Sequence, residues 1–239
     1  MKQSDKGIFY FKQFKIHHDR CSHKVGTDSV LLGSWVDLNG SKSVLDIGSG
    51  SAILMLMAAQ RTNNNVIIDG VEIDKASAQQ GLTNITESTW AHRMNLEQSS
   101  IQNYQTTKKY DLILSNPPYF RKSFLPPDAK RIISRHDIQL DFNTLIESCD
   151  RLSHSKTRLN LILPYSEAKF FIKQVEARRW YVTRQWFVRG RSNKPVERLL
   201  LELCKEKAIT ETGELCLMDS GENWSSQYRE LTHEFYLKG

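Results

Sequence analysis

Two short polar segments follow apolar runs of the sequence, and they carry the residue types with the clearest chemical use. The first is residues 46–50 (DIGSG), in which Gly48 and Gly50 permit a tight turn and a close backbone approach to a ligand. The second is residues 116–120 (NPPYF), in which two consecutive prolines stiffen the backbone. Both segments are therefore candidate parts of a binding site.

Acidic residues beside the glycine turn indicate the kind of ligand. Asp46 lies two residues before Gly48, where a carboxylate would repel a pyrophosphate but suit a cationic ammonium or sulfonium group. Glu72 ends a second apolar run, where a carboxylate can accept hydrogen bonds from both ribose hydroxyls. Alternatively, Glu72 is a surface carboxylate that caps the next helix, a role that Asp74 could also fill. Together these residues favour a nucleoside of the S-adenosylmethionine (SAM) type over a nicotinamide dinucleotide.

The second segment has the residue types that an exocyclic adenine amine requires. The lone pair of this amine is delocalised into the ring, so two acceptors on its hydrogens are needed to favour a tetrahedral nitrogen. The Asn116 side-chain oxygen and the Pro117 carbonyl are candidates for these acceptors, and Tyr119 is a candidate for stacking on an extruded base. Pro118 and Phe120 would lie beside that base. The alternative interpretation is a simple turn that ends a strand.

Apolar runs alternate with helical patterns along the chain, which predicts an α/β fold of parallel strands joined by crossover helices. The predicted strands are residues 43–47, 66–71, 92–94, 110–115, 159–163, 181–188 and 198–204. The predicted helices are residues 52–60, 75–87, 142–152 and 166–179, the last capped by Ser166. Because the carboxyl ends of parallel strands meet at one edge of the sheet, we expect the two polar segments to lie together. Residues 1–40 are predicted to be an extension packed on a domain of residues 41–239.

The composition narrows the range of partners. The chain has a formal net charge of +6, which favours encounter with RNA or DNA, although a solvated basic surface is the alternative. It has no apolar run long enough for a membrane span and no apolar core of a signal peptide near Met1. The four cysteines show no C-x-x-C spacing, so neither zinc nor a redox pair is indicated. We therefore expect a cytoplasmic protein without a metal or a membrane anchor.

Three further segments resemble a known family when they are taken with the two motifs. They are residues 11–21 (FKQFKIHHDRC), 24–33 (KVGTDSVLLG) and 228–238 (YRELTHEFYLK). Over essentially the whole chain the sequence resembles the bacterial valine-tRNA (adenine-37) N(6)-methyltransferases, which are SAM-dependent amino-methyltransferases with an Asn-Pro-Pro-Tyr motif. This resemblance implies a Rossmann-like sheet of seven strands, mostly parallel with an antiparallel last strand and helices on both faces. It also implies SAM as methyl donor and the adenine beside the anticodon of a valine tRNA as target.

The resemblance implies roles for single residues. Asn116, Pro117 and Tyr119 would be catalytic and hold the adenine. The implied cofactor-binding residues are Lys24, Gly26, Thr27, Asp46, Gly48, Gly50, Glu72, Asn95 and Asn116. Two positions depart from the family pattern: Ala52 stands where a glycine is common, and Asn95 stands where an aspartate often contacts the cofactor adenine.

Basic loops are candidate contacts for tRNA phosphates, with a solvated face as the alternative. The residues concerned are Arg135, Arg189, Arg191 and Lys194. His17 and His18 have metal-capable side chains, but neighbours on an extended strand point to opposite faces, so they are expected in the wall of the cofactor or tRNA cleft.

Other functions remain open from the sequence alone. The enzymes that methylate the glutamine amide of release factors also use Asn-Pro-Pro-Tyr, but they carry a longer helical domain where only residues 1–40 lie here. Adenine in ribosomal RNA or DNA is a further possible target. An RNA-binding module without catalysis is disfavoured by the presence of Asp46, Glu72 and Asn116. A monomer is the expected assembly.

Overall fold

The computed structural model describes residues 7–21, 24–117 and 141–237, and its centre is an eight-stranded sheet. The sheet strands are β3 (Ser43–Ile47), β4 (Ile67–Glu72), β5 (Met94–Gln98), β6 (Tyr110–Ser115), β7 (Ser153–Pro164), β8 (Tyr181–Arg189), β9 (Val196–Cys204) and β10 (Glu211–Cys216). They are arranged in the order β10-β8-β9-β7-β6-β3-β4-β5. Two shorter strands, β1 (Ile8–Tyr10) and β2 (Lys15–His17), form a separate antiparallel hairpin.

Along the chain, most of the described helices connect one strand to the next, one precedes the sheet and one follows it. They are α1 (Thr27–Trp35), α2 (Ile53–Gln60), α3 (Lys75–Thr86), α4 (Phe142–Leu152), α5 (Tyr165–Ala177) and α6 (Ser226–Thr232), with a short 3₁₀ helix at Ala91–Arg93. The order of strands and helices from β3 to β9 is the one that the sequence predicts.

The sheet is mostly parallel. Strands β3 to β7 run in one direction, and β9 is antiparallel to both of its neighbours, β7 and β8. The predicted Rossmann-like sheet and the predicted hairpin of β8 and β9 are confirmed, but the sheet has eight strands instead of seven. The eighth strand, β10, pairs in parallel with β8 at the edge of the sheet. Its sequence, ETGELC, buries only Leu215, so it lacks the apolar pattern by which a strand is recognised.

Helices cover both faces of the sheet. Residues of α1 and α2 bury one face in a core that includes Val44, and residues of α4 and α5 bury the other face in a core that includes Leu45. Because successive side chains of a strand point to opposite faces, these two neighbours in β3 belong to different cores. Phe11, Phe14 and Ile16 from the N-terminal segment join the first of these cores.

Several element boundaries differ from those predicted. Residues 92–94 mostly form the 3₁₀ helix, and the strand that follows them, β5, begins at Met94. β7 begins six residues earlier than predicted, at Ser153, because the polar start of the strand lies at the exposed end of the sheet. Pro164 is the N-cap of α5, so Ser166 lies inside the first turn instead of capping it.

The two ends of the described chain contact each other. The backbone N–H of Lys12 donates to the Phe235 carbonyl at 2.8 Å, and Phe11 forms an isolated antiparallel bridge with Tyr236. These bonds hold the β1–β2 hairpin against the segment that follows α6. Across the described residues, no helix has both the length and the apolar character that a membrane crossing demands.

Candidate functional site

A cavity of about 840 Å³ opens where the strand order of the sheet reverses. β3 lies between β4 and β6 at this point, and open α/β sheets bind ligands beyond the carboxyl ends of such strands. Gly48 and Gly50 follow β3, and Asn116 and Pro117 follow β6, and all four line the cavity. The structure therefore brings the two segments singled out in the sequence to one site.

The glycine turn after β3 has the backbone shape that the sequence predicts. Gly48 and Gly50 have φ angles of +77° and +53°, which favour glycine, and a Cβ added to either would meet no neighbouring atom within 4 Å. The N–H groups of Gly48 and Ser49 donate to the Val71 carbonyl at 2.9 and 3.1 Å. The turn is thus fastened to β4 while its open side is exposed to the cavity. Ala52, where a glycine is common, also has a positive φ, of 65°.

Glu72 connects the turn to the end of β4. Its two carboxylate oxygens accept hydrogen bonds from the backbone N–H groups of Gly50 and Asp74, each at 2.8 Å. The carboxylate is buried and lines the cavity. Asp74, and not Glu72, caps the next helix, because its side chain accepts from the Ser77 N–H at 2.8 Å. Glu72 is therefore held in a fixed position at the cavity, which is the arrangement expected for a ribose-binding carboxylate.

Asp46 is fully buried beneath the turn and, unlike Gly48, Gly50 and Glu72, does not line the cavity. Within the described part of the chain neither of its carboxylate oxygens has a hydrogen-bond partner. The neighbouring Ser49 hydroxyl donates to the Asp46 backbone carbonyl at 2.9 Å. Burial, with a further contribution from the negative charge of Glu72, raises the pKa of Asp46 to about 8. An unpartnered buried carboxyl of this kind is stabilised as a carboxylate when a cation lies near it, so the site fits a nucleoside that carries positive charge.

The start of α1 forms the opposite wall. Lys24, Gly26 and Thr27 line the cavity, as the resemblance implied, and Gly26 is the N-cap of α1. On the next residue of the helix, the Asp28 carboxylate accepts from Nε of Arg198 at 2.9 Å. This ion pair joins α1 to the start of β9 at the rim.

Asn116 has a positioned side chain. Its Nδ2 donates to the Oγ of Ser29 on α1 at 2.9 Å. The preceding residue, Ser115, is buried and donates through its hydroxyl to the Ile47 carbonyl at 2.8 Å, which joins the ends of β6 and β3. The Asn-Pro segment is therefore held both to α1 and to the strand that carries the glycine turn. Four predicted residues, Pro118, Tyr119, Phe120 and Arg135, lie outside the described residues.

Asn95 does not line the cavity either. Asn95 pairs in register with Asp69, whereas Gln98 of the same strand lies beside Glu72. Three residues of strand span about 10 Å, so Asn95 lies well below the edge where the cavity opens. Its Nδ2 instead donates to the Asp69 carboxylate at 2.8 Å. The prediction that Asn95 contacts the cofactor adenine is therefore wrong in position, and the wall there is made by residues 99–102.

The basic turn between β8 and β9 lies at the same edge of the sheet as the cavity. The start of β9 pairs with the end of β7, and Glu197 and Arg198 line the cavity. Arg189 is engaged in the turn itself, since its guanidinium donates to the Lys194 carbonyl at 3.0 Å. The side chains of Arg191 and Lys194 make no hydrogen bond or ion pair with the described residues, which leaves their charges directed to solvent.

Of the two adjacent histidines, only His18 contacts a residue of the cavity wall. His18 accepts through Nδ1 from the N–H of Val25, a residue of the cavity wall, at 3.1 Å, and burial lowers the pKa of its imidazole. His17 lies 3.1 Å from the Glu87 carboxylate. Neither histidine lines the cavity. Among the described residues no group of three or more metal-capable side chains comes together.

Sequence reasoning missed several residues of the site. Ser29, Ile73, Arg198 and residues 99–102 all line the cavity. Ile73 follows Glu72 directly and is half-exposed, so its position after a strand-ending acid is the one local signal that could have identified it. Ser29 and Arg198 carry no such signal, because each acts through a contact that is distant along the chain.

The strand order and the position of the cavity define a SAM-dependent methyltransferase, and comparison with known proteins supports this class. The family model described as the Methyltransferase small domain matches residues 20–136. Solved structures share the fold. A predicted O-methyltransferase from Agrobacterium tumefaciens has a TM-score of 0.67 at 15% identity, over 87% of this chain and 96% of that one. The ribosomal protein L11 methylase from Lactobacillus delbrueckii has a TM-score of 0.53 at 14% identity, over 75% and 77%.

Relatives similar in sequence identify the family. The tRNA1(Val) (adenine(37)-N6)-methyltransferase of Tolumonas auensis is 43% identical over 230 residues, which are 96% of this chain and 97% of that protein. The proteins of the same name from Aeromonas salmonicida and Pectobacterium carotovorum are 40% and 39% identical, over 97% and 93% of their lengths. The chain therefore belongs to the tRNA1(Val) (adenine(37)-N6)-methyltransferase family.

Proposed function

We propose that this chain transfers the methyl group of SAM to the exocyclic N6 amine of adenine 37 in valine tRNA. One observation carries the proposal: Asn116 and Pro117 line the same cavity as the glycine turn and Glu72, and the Asn116 amide is positioned by Ser29. The activity for which relatives are named, over nearly the whole chain, supports the same target.

The residues around the glycine turn fit the cofactor. When bound, SAM supplies an electrophilic methyl group on a sulfonium. Gly48 and Gly50 leave space for close backbone contact, and Glu72 accepts from the ribose hydroxyls. Lys24, Gly26 and Thr27 bind the methionine end, and the Asp46 carboxylate favours positive charge above it.

The Asn-Pro segment binds the target amine. The hydrogen bond from Asn116 Nδ2 to Ser29 orients the amide so that Oδ1 is the atom that accepts from the N6 amine. The Pro117 carbonyl is the second acceptor, and proline brings no competing N–H. With both hydrogens held, the nitrogen lone pair is directed towards the methyl group. Tyr119, with Pro118 and Phe120 beside it, is proposed to stack on the extruded base.

The reaction needs no strong general base. Three of the four described carboxylates that line the cavity have partners: Asp28 pairs with Arg198, Glu72 holds two backbone N–H groups, and Asp74 caps α3. The fourth, Glu197, is exposed at the rim. Once methylated, the amine is acidic enough to lose its extra proton to water. These side chains therefore bind and orient, and proton removal is left to solvent.

The basic turn is proposed to bind tRNA phosphates. Arg191 and Lys194 lie next to the rim and direct charge to solvent, and Arg189 and Arg135 are further candidate phosphate contacts from the sequence. The N-terminal segment and the sheet are proposed to act as one domain in a monomeric, cytoplasmic enzyme that uses no metal. A single-stranded anticodon loop suits this site, because unstacked bases are readily extruded.

A transfer assay with radiolabelled SAM tests the proposal. Valine tRNA, other tRNAs, ribosomal RNA, DNA and release factors are offered separately, and the product nucleoside is mapped by mass spectrometry. We expect N6-methyladenosine at position 37 of valine tRNA, and at least a 100-fold loss of turnover for Asn116→Ala with an unchanged thermal melt. Label in a protein or in DNA instead of tRNA, or near-normal turnover of Asn116→Ala, would contradict it.

A further inference from the structure

A second, smaller cavity of about 350 Å³ lies beside the first, and aromatic side chains dominate its wall. Phe9 comes from the β1–β2 hairpin, Trp224 from the segment just before α6, Tyr228 from α6 itself, and Tyr236 from the segment after it. Arg229 completes this part of the lining. None of these residues takes part in the cofactor and Asn-Pro site described above.

The two cavities share one wall. Residues 25–27, the segment that leads into α1, line both of them. A ligand in the second cavity is therefore separated from the methyl-transfer site by a single stretch of backbone. This shared wall makes a nucleotide close to the target adenine a better candidate than a remote part of the same RNA.

The aromatic rings offer both a stacking face and a polar edge. The Trp224 ring is 46% exposed and its centroid lies 4.5 Å from that of Tyr228, which is only 1% exposed. Tyr228 thus supports Trp224 from inside, and Trp224 presents its ring to the solvent side. The hydroxyls of Tyr228 and Tyr236 lie 3.0 Å apart within the wall. Every nucleobase has a π-face that such a wall can bind, whatever its sequence.

Charge at the cavity favours an anionic ligand. Arg229 is exposed and its guanidinium makes no hydrogen bond or ion pair with the described residues. An arginine beside an aromatic wall is the combination that binds a base together with its phosphate.

The cavity is built before any ligand arrives. The Ser225 side chain caps α6 by accepting from the Tyr228 N–H at 3.0 Å, and the Lys12 N–H holds the Phe235 carbonyl at 2.8 Å. These bonds fix α6, which carries Tyr228, and the hairpin, which carries Phe9, while Trp224 is held by an isolated antiparallel bridge to Met218. A preformed wall costs less conformational entropy when a base binds.

We propose that the second cavity binds a base of the RNA substrate that neighbours the methylated adenine, with Arg229 on an adjoining phosphate. This inference rests on the proposed function, because it requires an RNA substrate. Extruding the target adenine breaks its stacking with the neighbouring base. The Trp224 ring gives that neighbouring base a new stacking partner. The cavity is thus a specificity-determining subsite next to the reaction site.

The experiment uses anticodon stem-loop RNAs that carry a single abasic nucleotide at each loop position other than the target. Methyl-transfer KM and kcat are measured for the wild type and for Trp224→Ala. On the intact loop we expect Trp224→Ala to raise the KM for RNA about 10-fold with little change in kcat. With the wild type, one of the abasic loops should have a KM about as high as that of Trp224→Ala on the intact loop. On that same abasic loop, Trp224→Ala should raise the KM no further. Trp224→Phe should restore most of the affinity.

Matched variants separate this effect from general damage. Phe170→Ala removes an exposed aromatic ring of α5 on the other face of the sheet, and Lys156→Gln matches Arg229→Gln by removing a charge at the start of β7. Both controls should keep the wild-type KM, whereas Arg229→Gln should raise it about 3-fold or more. Arg229→Gln and the abasic series keep the inference testable if Trp224→Ala fails to fold.

Two results overturn the inference while leaving the proposed function intact. One is a wild type that methylates the loop while Trp224→Ala and Arg229→Gln retain its KM. The other is an equal rise in KM for every abasic loop, with Trp224→Ala raising the KM of each of these loops further by the same factor. If the wild type methylates no RNA at all, the proposed function itself fails.

Discussion

Asp46 is the residue whose surroundings most directly predict a measurable pH effect. Burial and Glu72 raise the pKa of its carboxyl to about 8, so the unliganded folded protein holds a proton there near pH 7. The stability that this protonated group contributes is full below the unfolded pKa of about 4 and is lost as the pH rises towards 8. A cation bound above it favours the carboxylate, so cofactor binding should release this proton.

We therefore expect the affinity for SAM to rise with pH up to about 8 and then to level off. Isothermal titration calorimetry at pH 7, in buffers of different ionisation enthalpy, should show release of a substantial fraction of one proton per cofactor bound. Asp46→Asn should abolish this release. Equal proton release by the variant and the wild type would show that the proton comes from another group.

Ser29 should affect the rate of methyl transfer, because its hydroxyl holds the amide of Asn116. Ser29→Ala should lower kcat about 10-fold through loss of one positioning hydrogen bond, while the KM for SAM changes little. Ser29→Thr, which keeps a hydroxyl, should recover part of the rate. A normal kcat in the alanine variant would show that the amide is oriented by other contacts.

Some residues of the site were predictable from the sequence and others were not. Gly48, Gly50 and Glu72 sit in short local patterns at the ends of apolar runs, and the structure places all three at the cavity. Asn95 was misplaced because the register of β5 against β4 cannot be read from its own residues. Ser29 was missed because its partner lies 87 residues away along the chain.

Helix α3 lies so close to the glycine turn that the position of Gly81 has no room for a side chain. A Cβ added to Gly81 of α3 would lie 2.8 Å from the Gly50 carbonyl and 2.6 Å from Cδ2 of Leu96. Alanine at this position must push the helix and the turn apart, because the carbonyl belongs to backbone and cannot rotate away.

Gly81→Ala should therefore weaken SAM binding about 10-fold and lower stability by about 1–3 kcal/mol. Gln79→Ala in the same helix is the matched control, since Gln79 is exposed, and it should change neither quantity. Calorimetric titration and denaturant unfolding measure the two effects. Unchanged cofactor affinity in Gly81→Ala would mean that the turn tolerates the shift.

The elements themselves were predictable where a buried apolar pattern exists. The cores of β3, β4, β6 and α4 were placed within one residue of their observed bounds. β10 was missed because only one of its residues is buried, and the polar start of β7 because it lies at an exposed end of the sheet. Hydrophobic periodicity therefore predicts elements that bury their side chains and misses those that stay exposed.

For the whole molecule, the net charge of +6 acts through particular exposed cations. Arg191 and Lys194 lie next to the cavity rim, so their joint replacement by glutamine should reduce the slope of log K against log salt for tRNA binding by about 1–2. Replacing Lys156 and Lys173, which lie on other exposed surfaces, removes the same charge and should leave the slope unchanged. Equal reductions in the two double variants would assign the effect to overall charge alone.

The second cavity could not be predicted from local sequence patterns, because its lining comes from distant parts of the chain. It joins Phe9, residues 25–27 and Tyr228, which no single pattern connects. The N-terminal and C-terminal segments were recognised only as family likeness, and their meeting depends on backbone bonds between the two ends of the chain.

The wall formed by residues 25–27 has a thermodynamic consequence for the order of events in catalysis. A partition that touches two ligands cannot adjust to one without changing the free energy of the other. If donor binding tightens the grip on RNA by some factor, RNA must tighten the grip on the donor by that same factor. The affinities for the spent cofactor and for the modified RNA would then change together, by one shared coupling free energy.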